Sequence, residues 1–246
     1  MPIFNTRITE VDKKECRRYA GLRKAENFPE ELIDEACDTG LLLAQPRGIW
    51  TIYDYDSASH TIMAEPPYTI EGDSIIKHLN GCTKVALLAV TVGEDIEDAV
   101  TENFKKGRYA FSTILDSAAT TIVEQVADAV EANVKAHVSK EGYSMKWRYS
   151  PGYGQWNLTE QPEMVRVTKA AEIGVHLTDS IMLWPRKSVT AIIGLYKKDL
   201  APEMTDGEKQ EKVPTADVKL VAPPEEPKPE VPCVRCNKTD CDARGI

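Results

Sequence analysis

Lys84-Val85-Ala86-Leu87-Leu88-Ala89-Val90-Thr91-Val92 is a near-continuous apolar run, too short for an ordinary helix and rich in β-branched residues. It reads as a buried strand, and the elements around it decide the fold class. Downstream, a helix is expected from Asp95 to Gly107 and a longer one from about Ser112 to Ser139. In the latter, Ile122, Val126, Ala129 and Val130 recur at helical spacing and face the core. Upstream, Asp73 reads as an N-cap for Ile75, Ile76 and Leu79, with Gly81 at the far end. Ile49 to Asp56 and His60 to Glu65 read as a β-hairpin, and residues 10–45 as helical, with Pro29 in the first turn of a second segment. A further helix is expected from Pro162 to Ile173, and a β-branched strand from Ser188 to Tyr196. Helices and strands are interspersed without a βαβ rhythm, and no Gly-x-Gly-x-x-Gly follows a strand. The expected class is α+β, with a mostly antiparallel twisted sheet flanked by helices.

A chain of 246 residues buries a sizeable core without disulfides or metals. Its net charge of −9 argues against nucleic acid or an anionic membrane as partner. No segment approaches the ~20 apolar residues of a membrane span, and no N-terminal stretch reads as a signal peptide. Of six cysteines, Cys16, Cys37 and Cys82 are isolated, whereas Cys233, Cys236 and Cys241 crowd the end, unlike a secreted disulfide scaffold. The expected location is cytoplasmic.

Composition divides the chain. Residues 1–198 read as one domain. Residues 199–230 are dense in Asp, Glu, Lys and Pro without an aromatic, which predicts a flexible linker, and residues 231–246 form a Cys-rich tail.

The most unusual local chemistry is Trp147-Arg148-Tyr149-Ser150-Pro151-Gly152-Tyr153-Gly154-Gln155-Trp156. A Pro-Gly turn among aromatics presents backbone amides and carbonyls beside ring faces, with one guanidinium close by. Such a surface suits a flat base and a carboxylate, and an aromatic face also favours a sulfonium cation.

At these residues the chain resembles the activation domain of cobalamin-dependent methionine synthase. That family carries an Arg-x-x-x-Gly-Tyr signature, usually with Pro before Gly, and Arg148, Pro151, Gly152 and Tyr153 reproduce it. Glu124-Gln125-Val126-Ala127-Asp128-Ala129 resembles the helix before the signature. Ile173-Gly174-Val175, Leu177-Thr178 and Met182-Leu183-Trp184-Pro185 followed by Ser188-Val189 resemble the later block. The resemblance covers about residues 84–196 well and the first eighty loosely. In the fused enzyme the signature runs on into Pro, Cys and His. Here it continues as Gly154-Gln155-Trp156, and the fused domain's long final segment is missing.

The resemblance implies a methionine synthase activation domain-like fold that binds S-adenosylmethionine, as a stand-alone activation subunit. Arg148 would take the ligand's carboxylate. The loop to Tyr153, including Ser150 and Gly152, would give backbone contacts to adenine and ribose. Asp128, where the family usually has Glu, would face the ammonium, with Glu124 beside it; a helical wheel puts Glu124, Asp128 and Glu131 on one face. Tyr153 would stack on the ligand or pin the turn. Cobalamin would be supplied by a separate cobalamin-binding methionine synthase subunit, and a low-potential electron donor would reduce it. His60, His78, His137 and His176 show no metal spacing, and Lys187 and Ser188 are assigned to packing and solvation.

Cys233, Cys236 and Cys241 are thiolate ligands at converging spacing for zinc or an iron–sulfur cluster; reduced thiols on a free tail are the other reading. The competing function is a non-catalytic docking or metal-bearing scaffold for another corrinoid protein.

Overall fold

The computed structural model describes residues 3–25 and 27–197. The segment 199–230, the tail 231–246 and the expected ligands Cys233, Cys236 and Cys241 lie outside the described residues. In chain order the elements are α1 (Lys13–Tyr19), α2 (Glu30–Leu43), β1 (Arg47–Asp56), β2 (Thr61–Ile62), β3 (Tyr68–Thr69), α3 (Asp73–His78) and β4 (Lys84–Thr91). There follow α4 (Asp95–Lys105), α5 (Tyr109–Val138), β5 (Tyr143–Met145), α6 (Gln161–Thr168), β6 (His176–Leu177), β7 (Leu183–Trp184) and β8 (Ser188–Lys197).

Six strands form one sheet in the order β3-β2-β1-β4-β8-β5, and every pairing is antiparallel. The expected α+β class with an antiparallel sheet is the one observed. The run at Lys84–Val92 is apolar throughout because both faces of β4 are covered. Ala86, Leu88 and Val90 pack with α5 and its neighbouring helices. Val85 and Leu87 pack on the opposite face with Tyr55, Trp156 and Met164, and Ala89 packs with Ile173. A half-solvated strand would have alternated in polarity; a central strand in a three-layer stack has no reason to.

The helix α5 spans 30 residues, about 45 Å at the usual rise. Its apolar stripe includes Ile122, Val126 and Val130, all fully buried; Ala129 is only half-buried, and Ala127 takes the core position instead. Thr113, Ser117, Thr120 and Thr121 return their hydroxyls to carbonyls four residues back, so polar residues sit in the helix without orphaned groups. The helix lies so close to β1 that a Cβ on Gly48 would meet Val130 Cγ2 at 2.6 Å. Any side chain there would force Val130 to shift.

Three expectations need correction. Asp73 is the first residue of α3 and not its cap; Gly72 holds the cap position, with φ +127. The helix expected from Ser112 begins at Tyr109. The helix expected over Pro162 to Ile173 is two pieces, because Lys169 turns left-handed at φ 55 between α6 and a 3-10 turn at Ala170–Ile173. Among the described residues no helix is long and apolar enough to cross a membrane.

Candidate functional site

The loop after β5 is fixed before any ligand is considered. Tyr149 makes an isolated bridge to β8, with its N–H to the Ile192 carbonyl at 2.9 Å and the reverse bond at 2.8 Å. The chain then turns through Pro151 and Gly152, whose φ of +91 is disfavoured for residues with a Cβ. Gly152 N–H donates to the Trp156 carbonyl at 2.8 Å, Tyr153 N–H to the Ser150 carbonyl at 3.2 Å, and Gln155 N–H to Ser74 Oγ at 3.1 Å. Trp156 ends the loop inside the core, 1% exposed. The segment Gly154-Gln155-Trp156 thus serves packing here.

On the near side, His78 of α3 donates from Nε2 to the Trp147 carbonyl at 3.0 Å, and its ring lies 4.5 Å from Trp147 and 5.2 Å from Tyr149. Burial drives its pKa down to about 4, so it is a neutral donor at physiological pH. It belongs to the scaffold beneath the loop.

These anchors aim Arg148 at α5. Glu124, Asp128 and Glu131 follow one another at intervals of four and three, which places them on one helix face. Arg148 Nη1 donates to Asp128 Oδ1 at 2.8 Å and to Glu131 Oε2 at 2.9 Å, and Nη2 donates to Glu124 Oε2 at 3.3 Å. No described residue bonds its Nε–H. The guanidinium is well covered, with its side chain 19% exposed, against 38% for Glu124, 72% for Asp128 and 29% for Glu131. Burial pushes the Glu124 and Glu131 carboxyls above the usual carboxylate range, with Arg148 opposing the shift and the neighbouring Asp128 adding to it. The Tyr153 side chain is 39% exposed, and its phenol is raised by partial burial and then by Glu124, with Arg148 opposing.

The expected site residues therefore fall together. Arg148, Asp128, Glu124 and Tyr153 share one surface, and Ser150 and Gly152 shape the loop that carries it. Glu131, placed on this helix face by the wheel but not counted as a site residue, is a full member of the cluster. Tyr19 on α1 also feels Glu124, and Arg18 stacks over the Tyr19 ring at 4.0 Å; no sequence spacing pointed to that neighbour. Concavities of about 260 Å³ beside Arg17 and 180 Å³ beside His60 do not include Arg148. The site is an open surface with a guanidinium, a surplus of carboxylate and an aromatic rim. Lys187 bonds Asp116 and Thr120, and Ser188 bonds Thr91, as packing residues. No group of three His, Cys, Asp or Glu able to hold a metal occurs among the described residues.

The fold and site define an α+β domain in which one long helix and one Pro-Gly-Tyr loop meet over an antiparallel sheet. The family model described as vitamin B12 dependent methionine synthase, activation domain, matches residues 64–199, and the chain belongs to that family. A solved structure titled as the MetH reactivation domain bound to AdoHcy is similar in fold, with a TM-score of 0.55 at 13% identity, over 79% of this chain and 78% of that one. No curated protein matches.

Proposed function

We propose that this chain binds S-adenosylmethionine and serves as a reactivation subunit for a separate cobalamin-dependent methionine synthase. The observation that carries the reading is the Arg148 cluster. The ligand offers a carboxylate, an ammonium and a sulfonium; the site offers a guanidinium whose Nε–H no described residue bonds, three carboxylates and a partly exposed Tyr153. The donor set fits the ligand group for group. The domain family and the AdoHcy in the similar structure support the same choice.

When bound, S-adenosylmethionine would supply a methyl group for the partner's cobalt, whose reduction would draw one electron from a low-potential donor. The chain's own residues bind and orient. Arg148 and the α5 carboxylates hold the amino-acid end, and the loop from Ser150 to Tyr153 meets the adenosyl end. Catalysis on this reading is positioning, with no general acid or base required of the protein.

Calorimetric titration with S-adenosylmethionine, alone and with the cobalamin-bearing partner, tests it. Arg148→Ala is expected to cost ~2 kcal/mol or more of binding. Absence of binding in both settings, or binding indifferent to Arg148→Ala, would remove the mechanism. That outcome would favour the docking scaffold for another corrinoid protein, a reading supported by the ion pairs that Arg148 already makes with three acids. Metal binding by Cys233, Cys236 and Cys241 is a separate proposal, checked by metal analysis and visible absorption after anaerobic purification.

A further inference from the structure

An amino-acid ligand has one ammonium, yet three carboxylates surround Arg148. Glu124, Asp128 and Glu131 against one guanidinium leave a surplus of negative charge on this stretch of α5. The surroundings do not cancel it. The groups that face Glu124 are Arg148, Asp128, Arg18 and Glu15, with the Tyr19 and Tyr153 phenols close by. Arg18 is already tied to Glu15, its Nε donating at 2.7 Å. Those facing Glu131 are Arg148, Asp128 and Lys135. Glu131 and Glu124 are also partly buried, and holding negative charge there is unfavourable until a cation arrives. Arg148, Arg18 and Lys135 against Glu15, Glu124, Asp128 and Glu131 leave one negative charge that a zwitterionic amino-acid end does not alter, and a ligand with a further positive charge offsets it.

We infer that Glu131 makes this surface select its ligand by charge, holding S-adenosylmethionine and releasing S-adenosylhomocysteine once the methyl has gone. The inference rests on the S-adenosylmethionine-binding reading above and adds a specificity residue to it. The two molecules share carboxylate, ammonium, ribose and adenine. They differ by one methyl and by the positive charge that leaves with it. Every contact to the shared parts cancels in the ratio of their dissociation constants, so the ratio reports the field at the sulfur. A unit charge removed about 10 Å away, at an effective dielectric of about 20 to 40, changes that ratio about four- to sixteenfold. Because the cluster is partly exposed, the preference shrinks with added salt.

The test uses the full chain and three probes: S-adenosylmethionine, S-adenosylhomocysteine and sinefungin, in which an amine cation replaces the sulfonium. Dissociation constants are measured at low and moderate salt for wild type, Glu131→Gln and Glu131→Asp, with thermal unfolding of each variant to confirm the fold. Wild type is expected to prefer both cationic ligands over the neutral one. Glu131→Gln is expected to weaken the cationic ligands about four- to sixteenfold more than the neutral one, and Glu131→Asp to restore most of the preference. Equal changes for cationic and neutral ligands in Glu131→Gln, or a preference insensitive to both substitution and salt, would overturn charge selection while leaving ligand binding intact. Failure of all three probes to bind wild type would overturn the underlying reading and this inference with it.

Discussion

Replacing Arg148 by Ala tests whether the cluster on α5 is an electrostatic unit, independently of any ligand. The substitution removes a guanidinium that is 19% exposed and leaves three carboxylates facing one another without a cation. Asp128, at 72% exposed, contributes as a surface pair, about 0.3 kcal/mol. Glu131 and Glu124 are more enclosed, and about 1 kcal/mol each is the appropriate scale. Loss of stability near pH 7.5 is therefore expected to be about 2 to 3 kcal/mol, a fall of about 4–12 °C in the unfolding midpoint for a chain of this size. The pH dependence carries the sharper signature. Glu124 and Glu131 already titrate above the usual carboxylate range, and removal of Arg148 lifts them further. A raised carboxyl pKa means the folded state holds a proton more tightly than the unfolded chain. Its contribution is fully present below the unfolded value and is lost as pH rises through the folded one. The deficit of Arg148→Ala should accordingly shrink as pH falls to about 5. The acid response of His78 is common to both proteins and cancels in the difference. Thermal unfolding followed by circular dichroism at the two pH values measures it. Equal midpoints at pH ~7.5, or a deficit that persists or grows at pH ~5, would refute the account.

Gly152→Ala forces a Cβ onto a residue at φ +91 and should cost about 1 kcal/mol or more, seen as a lower unfolding midpoint and weaker S-adenosylmethionine binding. Trp156→Ala empties a fully enclosed indole site and should cost about 3–5 kcal/mol, with loss of near-ultraviolet circular dichroism from the loop; a change below 1 kcal/mol would mean that the loop does not depend on that anchor. His78, with its pKa lowered to about 4 by burial, should stay neutral in the fold while the unfolded chain protonates near 6.5. Its contribution is then present above that value and is lost as pH falls toward 4, and imidazole proton shifts followed by NMR should show a midpoint near 4 for this ring.

Long, strongly patterned elements were legible in the sequence because their burial is dictated by their own residues. The apolar run at Lys84–Val92 and the β-branched Ser188 to Tyr196 lie side by side in the centre of the sheet. The short pieces were not. β5 is three residues long and is a strand only because Leu195 to Lys197, far away in sequence, offer it partners; β6 and β7 hold two residues each. The break at Lys169 was hidden because lysine is an ordinary helix residue, and nothing local announces a left-handed conformation. In the site, helical spacing was enough to bring Glu124, Asp128 and Glu131 to one face, and the family signature was enough to nominate Arg148. That Arg148 reaches all three, and that Arg18 and Tyr19 stand nearby, depends on how α1 and the β5–β8 edge pack against α5, which no local pattern encodes.

The loop that carries Arg148 is tethered at both ends: Tyr149 is locked to Ile192, and Trp156 is sunk in the core, with Gly152 and Gln155 tied between them. A segment held in this way has little conformational entropy left to lose. Ligand capture should behave as docking onto a preorganised rim, with fast association limited by encounter and side-chain exchange rather than by closure of a lid. On the reactivation reading proposed above, the slow step is then expected to fall to the larger bodies that must approach this rim.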